Sequence, residues 1–402
     1  MHTTSFDFLV VGAGIVGLTV ASELRRHHPA ARIAVLEKEM QPGMHASGRN
    51  SGVLHSGIYY ASDTLKAQVC AKGAERMRAF AAEHGIPCER SGKVILATQE
   101  SDLPTLDRLL CNAKDNGIRV ERLDEQSLRE IEPHAAPGPA AIYSPDTAVI
   151  DSGAVVERLR VLLEQQGIQF FWGCTVRAAS PEHSTVETNL GQVTYGYLFN
   201  CAGANADVLA RGFGLARDYA LIPFKGIYWK LGPKANRLVR ANIYPVPDIS
   251  LPFLGVHLTR VISGDVYVGP TAIPALGREN YGLFQGLRVR EAIDIGWWLA
   301  TLYMENRKNF RALVHTELRK YHKANFLTAA RRLVPALDAE DLVPTSKAGI
   351  RPQLVNLRER RLEMDYILER TETSMHVLNA ISPAFTSSFA FAELIVERSG
   401  TC

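Results

Sequence analysis

Three observations predict an α/β fold. A short apolar run rich in β-branched residues, Phe6 to Val11, leads into Gly12-Ala-Gly14-Ile-Val-Gly17. A helical pattern follows from Ile15 to His27, and a second apolar run, Arg32 to Leu36, ends at Glu37. Strand-like and helix-like segments then alternate along most of the chain, which marks packed α/β layers rather than an all-helical or all-strand core.

Taken in order, helices are predicted over 64–84, 101–116, 153–166 and 386–398. Strands are predicted over 93–98, 197–201, 221–231, 266–269, 363–369 and 375–379. Residues 221–282 differ, with many Pro, Gly and β-forming pieces, and 283–333 are almost wholly helical in character. Nucleotide-type signals return after this region, so the first domain is expected to be discontinuous. The division is 1–90, 145–220 and 341–402 for that domain, with 91–144 and 221–340 forming an inserted α+β domain. A length of 402 residues is ample for two domains.

Composition excludes several classes. Hydrophobic residues make up 46% and charged residues 22%, ordinary globular values that exclude a disordered or collagen-like chain. Lys plus Arg is 45 against 42 acidic residues, and this near balance argues against nucleic acid as the main partner. Six cysteines are scattered without a C-x-x-C pair, so neither a disulfide framework nor a metal site is expected, and the compartment reads as reducing and cytoplasmic. The N-terminal stretch lacks a basic n-region and enters a strand directly, unlike a signal peptide. No run of 18 apolar residues exists to span a bilayer.

The opening motif has a defined chemistry. Gly12 permits a tight turn, Gly14 admits a pyrophosphate to the backbone, and Gly17 allows helix and strand to pack closely. The helix N-terminus offers free N–H groups and a positive dipole end. Glu37, 20 residues past Gly17, is placed to accept hydrogen bonds from ribose hydroxyls and to repel a 2′-phosphate. These features predict an adenine dinucleotide and disfavour NADP.

Later segments favour a flavin. Gly48-Arg-Asn50-Ser51-Gly52-Val-Leu-His55-Ser-Gly-Ile-Tyr59-Tyr60 is rich in small and polar residues that let backbone amides reach a planar ligand. Ala202-Gly203 follows a strand at a small-residue turn. Ser382-Pro383-Ala-Phe-Thr386-Ser387 opens a helix whose positive end would favour a reduced, anionic ring, with Ser and Thr as expected caps. Ile15, Val16, Lys38 and Val176 complete the expected cofactor-binding set, and FAD is the cofactor expected.

On these residues the chain resembles the L-2-hydroxyglutarate dehydrogenases and oxidases of the D-amino-acid-oxidase-like FAD superfamily. The resemblance also rests on Pro252-Phe-Leu-Gly-Val-His257-Leu-Thr-Arg260, Val268 to Ala272, Arg278-Glu-Asn-Tyr281, Ala348-Gly-Ile-Arg351-Pro-Gln353 and Asn379 to Ser388. It runs nearly end to end. It implies a Rossmann-like FAD-binding domain with an α+β substrate-binding domain, oxidation of L-2-hydroxyglutarate to 2-oxoglutarate, and a quinone as electron acceptor. The chain departs from the pattern with Lys225 and Ile227 in place of Arg and Glu, Ile381 in place of Pro, and Asn205 in place of Trp. Another 2-hydroxy acid or an amino acid, with oxygen as acceptor, stays open as substrate. A flavin-binding module without turnover is the reading from a different class.

The chemistry expected is hydride transfer from substrate C2 to flavin N5, with the hydroxyl proton passing to a base. His55 is the first candidate base, since an ordinary imidazole titrates near neutral pH. A covalent flavin link and a purely structural hydrogen bond are its alternatives. His257 is the second candidate, with a core histidine as its alternative. Arg351 offers a planar fork for a carboxylate, and Lys225 or Arg260 is expected to hold a second one. Tyr59, Tyr60 and Tyr267 are expected to orient the hydroxyl or pack on the ring.

Residues 286–315 place Ile295, Trp298, Leu299 and Leu302 at helical spacing, flanked by Arg288, Arg290, Arg307, Lys308 and Arg311. Aromatics bounded by basic residues suit a helix lying in the headgroup region of a membrane, where a quinone is within reach. A face packed in the core is the alternative.

Overall fold

The computed structural model describes residues 4–249 and 253–401. Pro252 and Cys402 lie outside the described residues. The Thr4–Val11 strand pairs in parallel with Ile33–Leu36 on one side and Gly191–Asn200 on the other. Gln169–Phe171 extends this parallel set beyond Ile33–Leu36, and Ser374–Val377 extends it beyond Gly191–Asn200. Its strands are buried on both faces, one under helices and the other under Cys174, Val186, Phe213 and their neighbours.

Ile15–His27, Ser152–Gln165, Leu65–Glu83 and Ala384–Ser399 build the larger of these layers. Leu18, Leu24, Val35, Leu159, Phe199 and Phe391 meet there in one buried cluster. Gly73 marks the tightest helix contact, since a Cβ on it would lie 2.4 Å from the Cα of Ser387.

The second sheet has ten strands and is mostly antiparallel. Its spine is Tyr219–Leu231 paired with Leu342–Asn356, and it continues through Val266–Gly269, His257–Arg260 and Asn242–Pro245 to Lys93–Ala97. One face carries Val94, Leu96, Ile243, Leu258 and Val268 against the Lys323–Arg331 helix and its neighbours. The other face turns toward the first domain. Strands 93–97, 121–123 and 140–144 belong to this sheet.

The structure corrects four expectations. Residues 342–356 sit in the second sheet, not the first domain, because they pair with Tyr219–Leu231 along nearly their whole length. The strand expected over 363–369 is only Leu368–Arg370, and the strand expected at 197–201 begins at Gly191 as one arm of a hairpin. The final helix, expected to be capped by Ser or Thr, has Pro383 at its N-cap with no side-chain cap.

Gly12 has φ +109°, and a Cβ on Gly17 would lie 1.9 Å from the Gly12 carbonyl oxygen. The fingerprint helix can meet its strand only because neither carries a side chain. Gly17→Ala is expected to push the helix away, at a cost of about 1–3 kcal/mol for overpacking. A lower Tm and loss of copurifying FAD, read from the visible spectrum, check this; normal flavin content would overturn it.

Candidate active site

Three chain segments end together at the C-terminal edge of the parallel sheet. Gly12 N–H donates to the Leu36 carbonyl, and Cys201 N–H donates to the Val11 carbonyl. This register sets Gly12 beside Glu37 and Ala202, at the crevice where doubly wound sheets take their ligands. Glu37 is buried, and its carboxylate accepts from the backbone N–H of Ala13 at 2.7 Å and of Glu39 at 2.9 Å. Its remaining lone pairs are available to ribose hydroxyls.

The loop after Glu37 folds back onto this turn. Gly43 N–H donates to the Ala13 carbonyl, and Ser47 Oγ accepts from Ile15 N–H at 2.9 Å. Ser47 therefore stands at the first turn of the fingerprint helix, beside Gly14. The sequence reading missed it, because a lone Ser between Gly43 and Gly48 carries no pattern. Asn50 is spent on its own loop, with Nδ2 donating to the Ser47 carbonyl and Oδ1 accepting from Gly52 N–H. Gly52 has φ +73°, and its missing Cβ leaves room for the Ile150 carbonyl. Gly48 packs against the Gly43 carbonyl and Ser51 is half-buried in the same loop.

Two further segments close the cradle. Ala202 lies against Gly12, and Gly203 has φ +55° with open space where a side chain would point. Thr386 Oγ1 accepts from His55 N–H at 3.2 Å and lies 3.3 Å from the Val53 carbonyl, so the final helix is tied to the Val53–Leu54 strand and the residue after it. Ser382 lies beside Tyr60, and Pro383 precedes the helix. Val176 opens the strand after Gly173 and Cys174, whose N–H groups donate to Glu39 and Glu37 carbonyls. A turn open to a pyrophosphate, a buried carboxylate and an uncapped helix end together fit FAD.

Some expected contacts are corrected. The Ser387 hydroxyl is taken by Tyr366 and the Pro383 carbonyl, against the Gly73 contact, so its side chain does not face a cofactor. Lys38 is paired with Glu39 and Glu279. Glu39, His45 and Glu279 lie close enough to resemble a metal site, but the Lys38 ammonium is already paired with both carboxylates.

Between this cradle and the second sheet lies a chamber of buried polar groups. Its members are His55, Tyr59, Lys93, Tyr244, His257 and Arg351. The His257 ring stacks on Tyr244 with centroids 3.9 Å apart. Its Nδ1 lies 2.9 Å from the Gly255 carbonyl, a contact that places the proton on Nδ1 and the lone pair on Nε2. The Lys93 ammonium sits 4.6 Å from the centre of the Tyr59 ring and 5.4 Å from that of Tyr244. His55 Nδ1, Tyr59 Oη and Lys93 Nζ are enclosed without a hydrogen-bond partner among the described residues. Native interiors rarely leave such groups unpaired, and here they converge where a polar ligand belongs.

Burial, with the Lys93 charge beside it, pushes the His55 imidazole down to about 3. His257 is likewise pushed down to about 3, chiefly by burial, despite its bond to the Gly255 carbonyl. Both are neutral acceptors at physiological pH.

Strand alternation decides which cations reach the chamber. His257 and Thr259 share one face, so Arg260 takes the other, where its guanidinium donates to the Val239 carbonyl. Arg260 is thereby removed from the substrate site. Lys225 is also corrected: its ammonium donates to Asn280 Oδ1 and to the Gly282 carbonyl, on the face opposite Arg351. Arg351 is held by the Thr271 carbonyl at 2.9 Å and lies over Phe253. Tyr60 borders Tyr244. Tyr267 lines a cleft of about 1030 Å³ that runs from Gly43, Gly48 and Arg49 to Lys347 and Ala348. Lys347 stands 4.4 Å over the Tyr267 ring at this mouth.

With this geometry in hand, comparison with known proteins is decisive. Residues 7–398 match the model of the FAD dependent oxidoreductase family. L-2-hydroxyglutarate dehydrogenase of Indibacter alkaliphilus is 35% identical over 398 residues, covering 98% of both chains. The Escherichia coli K12 protein of that description is 33% identical, covering 98% of this chain and 93% of its own.

The chain belongs to the FAD dependent oxidoreductases, among the L-2-hydroxyglutarate dehydrogenases.

It is an FAD enzyme. Its fold is that of an L-α-glycerophosphate oxidase from Mycoplasma pneumoniae solved with FAD bound, at TM-score 0.79 and 20% identity over 99% of this chain and 95% of that one. Glycine oxidase from Geobacillus kaustophilus is similar at TM-score 0.73 and 19% identity, covering 98% of this chain and 95% of its own. The family assignment accounts for the cradle, beside which the buried polar cluster lies.

His55→Ala should leave FAD bound but slow flavin reduction by about 10²–10⁴-fold, the usual contribution of a general base. In the wild type, kcat/KM should show no histidine limb between pH 5 and 7, because free His55 gains its proton only near 3. Anaerobic stopped-flow across pH checks both. A variant with lower FAD affinity but normal reduction at saturating FAD would make His55 structural.

Proposed function

We propose that this enzyme oxidises L-2-hydroxyglutarate to 2-oxoglutarate. The observation that carries the reading is a chamber beside the FAD cradle that joins a guanidinium fork to two neutral imidazoles. Bound FAD supplies the hydride acceptor at N5. Arg351 holds a substrate carboxylate through its fork and so fixes the orientation of C2. His55, neutral and unpartnered at Nδ1, accepts the hydroxyl proton as the C2–H bond is lost. His257 Nε2 is the second acceptor on the same wall. The enclosed aromatic side chains exclude water while this occurs.

Arg351→Lys keeps the charge and loses the fork. It should raise KM for L-2-hydroxyglutarate by about 10–150-fold, the range for a lost charge-assisted hydrogen bond. Anaerobic bleaching with L-2-hydroxyglutarate, L-lactate, L-malate and glutamate tests the substrate itself. Reduction by one of the other three in preference would reassign it, and no bleaching by any would leave a binding module.

We infer further that a membrane quinone receives the electrons. No helix among the described residues is long and apolar enough to cross a membrane. The Val289–Glu305 helix nevertheless has two apolar faces. Ile295, Trp298, Leu299 and Leu302, the face expected to meet the headgroups, turn inward and pack or are buried. An outer stripe of Val289, Ile293, Trp297 and Met304 is exposed instead, and Phe284 beside it is 83% exposed. Arg288 and Arg290 flank this stripe, whereas Arg311 is spent on the Tyr303 and Met304 carbonyls. Tyr281, which precedes the stripe in the chain, contacts His45 and Arg49 of the cofactor loop. Apolar residues bounded by arginines match an anionic bilayer surface.

Vesicles containing phosphatidylglycerol should float the wild type, and Ile293→Glu with Trp297→Glu should abolish flotation without lowering Tm. Equal flotation of both proteins would remove the stripe from the interface, and reoxidation by oxygen as fast as by a soluble quinone would make the enzyme an oxidase.

A further inference from the structure

Lys93 heads the Lys93–Ala97 strand and is fully enclosed. Alternation places Val94 and Leu96 in the helix-covered core and turns Lys93 to the chamber face with Ile95 and Ala97. Its ammonium has no hydrogen-bond partner and no carboxylate pairs with it among the described residues. The rings of Tyr59 and Tyr244 stabilise it only in part. An apolar side chain would fill this position at lower cost than an unpaired cation. The arrangement is therefore accounted for by an anion that arrives from outside.

We propose that Lys93, with the Tyr59 hydroxyl, binds the second carboxylate of the substrate, the one that Arg351 does not hold, and so selects dicarboxylic over monocarboxylic 2-hydroxy acids. This rests on the reading of the chamber as a 2-hydroxy-acid site. Both cations border the His257–Tyr244 stack, and they approach it from different neighbours. Lys93 comes with Tyr59, His55 and Cys70, while Arg351 comes with Tyr228 and Phe253. A diacid with one carboxylate on each cation would present its hydroxyl-bearing carbon to the two imidazoles. Tyr59 Oη, enclosed and unpartnered, supplies a donor to the carboxylate that Lys93 holds. The two cations first expected to do this, Lys225 and Arg260, are held elsewhere.

The groups facing Lys93 are His55, Tyr59, Cys70, Tyr244 and His257. Burial pulls its ammonium down to about 7, so a carboxylate ligand must be lost as pH rises through that value. Cys70, pushed up to about 12, and the two neutral imidazoles do not titrate in this window.

The test uses holoenzyme, Lys93→Met and Lys93→Arg. The ratio of kcat/KM for L-2-hydroxyglutarate over L-2-hydroxypentanoate should fall about 10–150-fold in Lys93→Met and less in Lys93→Arg. Glutarate binding, read from the flavin spectrum, should weaken by the same factor. In the wild type it should weaken as pH rises through about 7. Tm should not fall, since Met removes a buried unpaired charge. Equal losses for both substrates would overturn the proposal in favour of a proton-transfer or structural role, as would unchanged glutarate affinity. If Lys93→Met does not fold, the wild-type pH dependence of glutarate binding decides alone. Glutarate binding without reduction by L-2-hydroxyglutarate would defeat the substrate reading and leave the subsite standing.

Discussion

The antiparallel pairing of Tyr219–Leu231 with Leu342–Asn356 runs from Tyr219 opposite Asn356 to Leu231 opposite Leu342, and the charge pattern of the site depends on its register. It sets Arg351 opposite Phe224 and Lys225 opposite Ile350, on alternate faces. A slip of one residue would set Lys225 opposite Arg351 and bring both cations to one face. The same pairing lays Gly349 against the Arg49 carbonyl of the cofactor loop. One ladder thus joins the second sheet to the FAD domain and chooses which cation faces the chamber.

The electrostatics of the chamber follow from what surrounds that ladder. Two buried cations and two imidazoles share a space without a carboxylate among the described residues to pair with Lys93. Desolvation keeps both histidines neutral, as proton acceptors must be, and leaves Lys93 short of stabilisation until an anion enters. A carboxylate beside Lys93 would also reduce the positive field at His55 and raise its proton affinity. Binding and proton transfer would then be coupled through a shared charge.

The Val289–Glu305 helix shows how one periodicity can be read in two ways. Ile295, Trp298, Leu299 and Leu302 satisfy a 3.6-residue repeat, and so do Val289, Ile293 and Trp297. Periodicity identifies both stripes. Only packing against Phe224, Phe253 and Phe310 selects the inward one, leaving the other as exposed surface unusual for a protein without a contact there.

By itself the sequence determined the βαβ opening, the roles of Gly12, Gly14 and Gly17, the Glu37 carboxylate, most helices and the flavin reading. Each rests on local geometry, since a tight turn, a helix period or a close backbone approach involves neighbouring residues. The same holds for His55, whose glycine-rich loop announces it. Tertiary structure alone decided the rest. Arg260 was excluded by the face it takes on a four-residue strand, Lys225 by the Asn280 and Gly282 partners it meets 55 and 57 residues away, and Ser387 by the helix packed against Gly73. Lys93 was illegible because a lysine at the head of an apolar run reads as a solvated strand end. Its burial comes from Tyr59, on a turn of the cofactor loop, and from Tyr244, on a strand paired with its own from some 150 residues away, and no local pattern encodes that meeting.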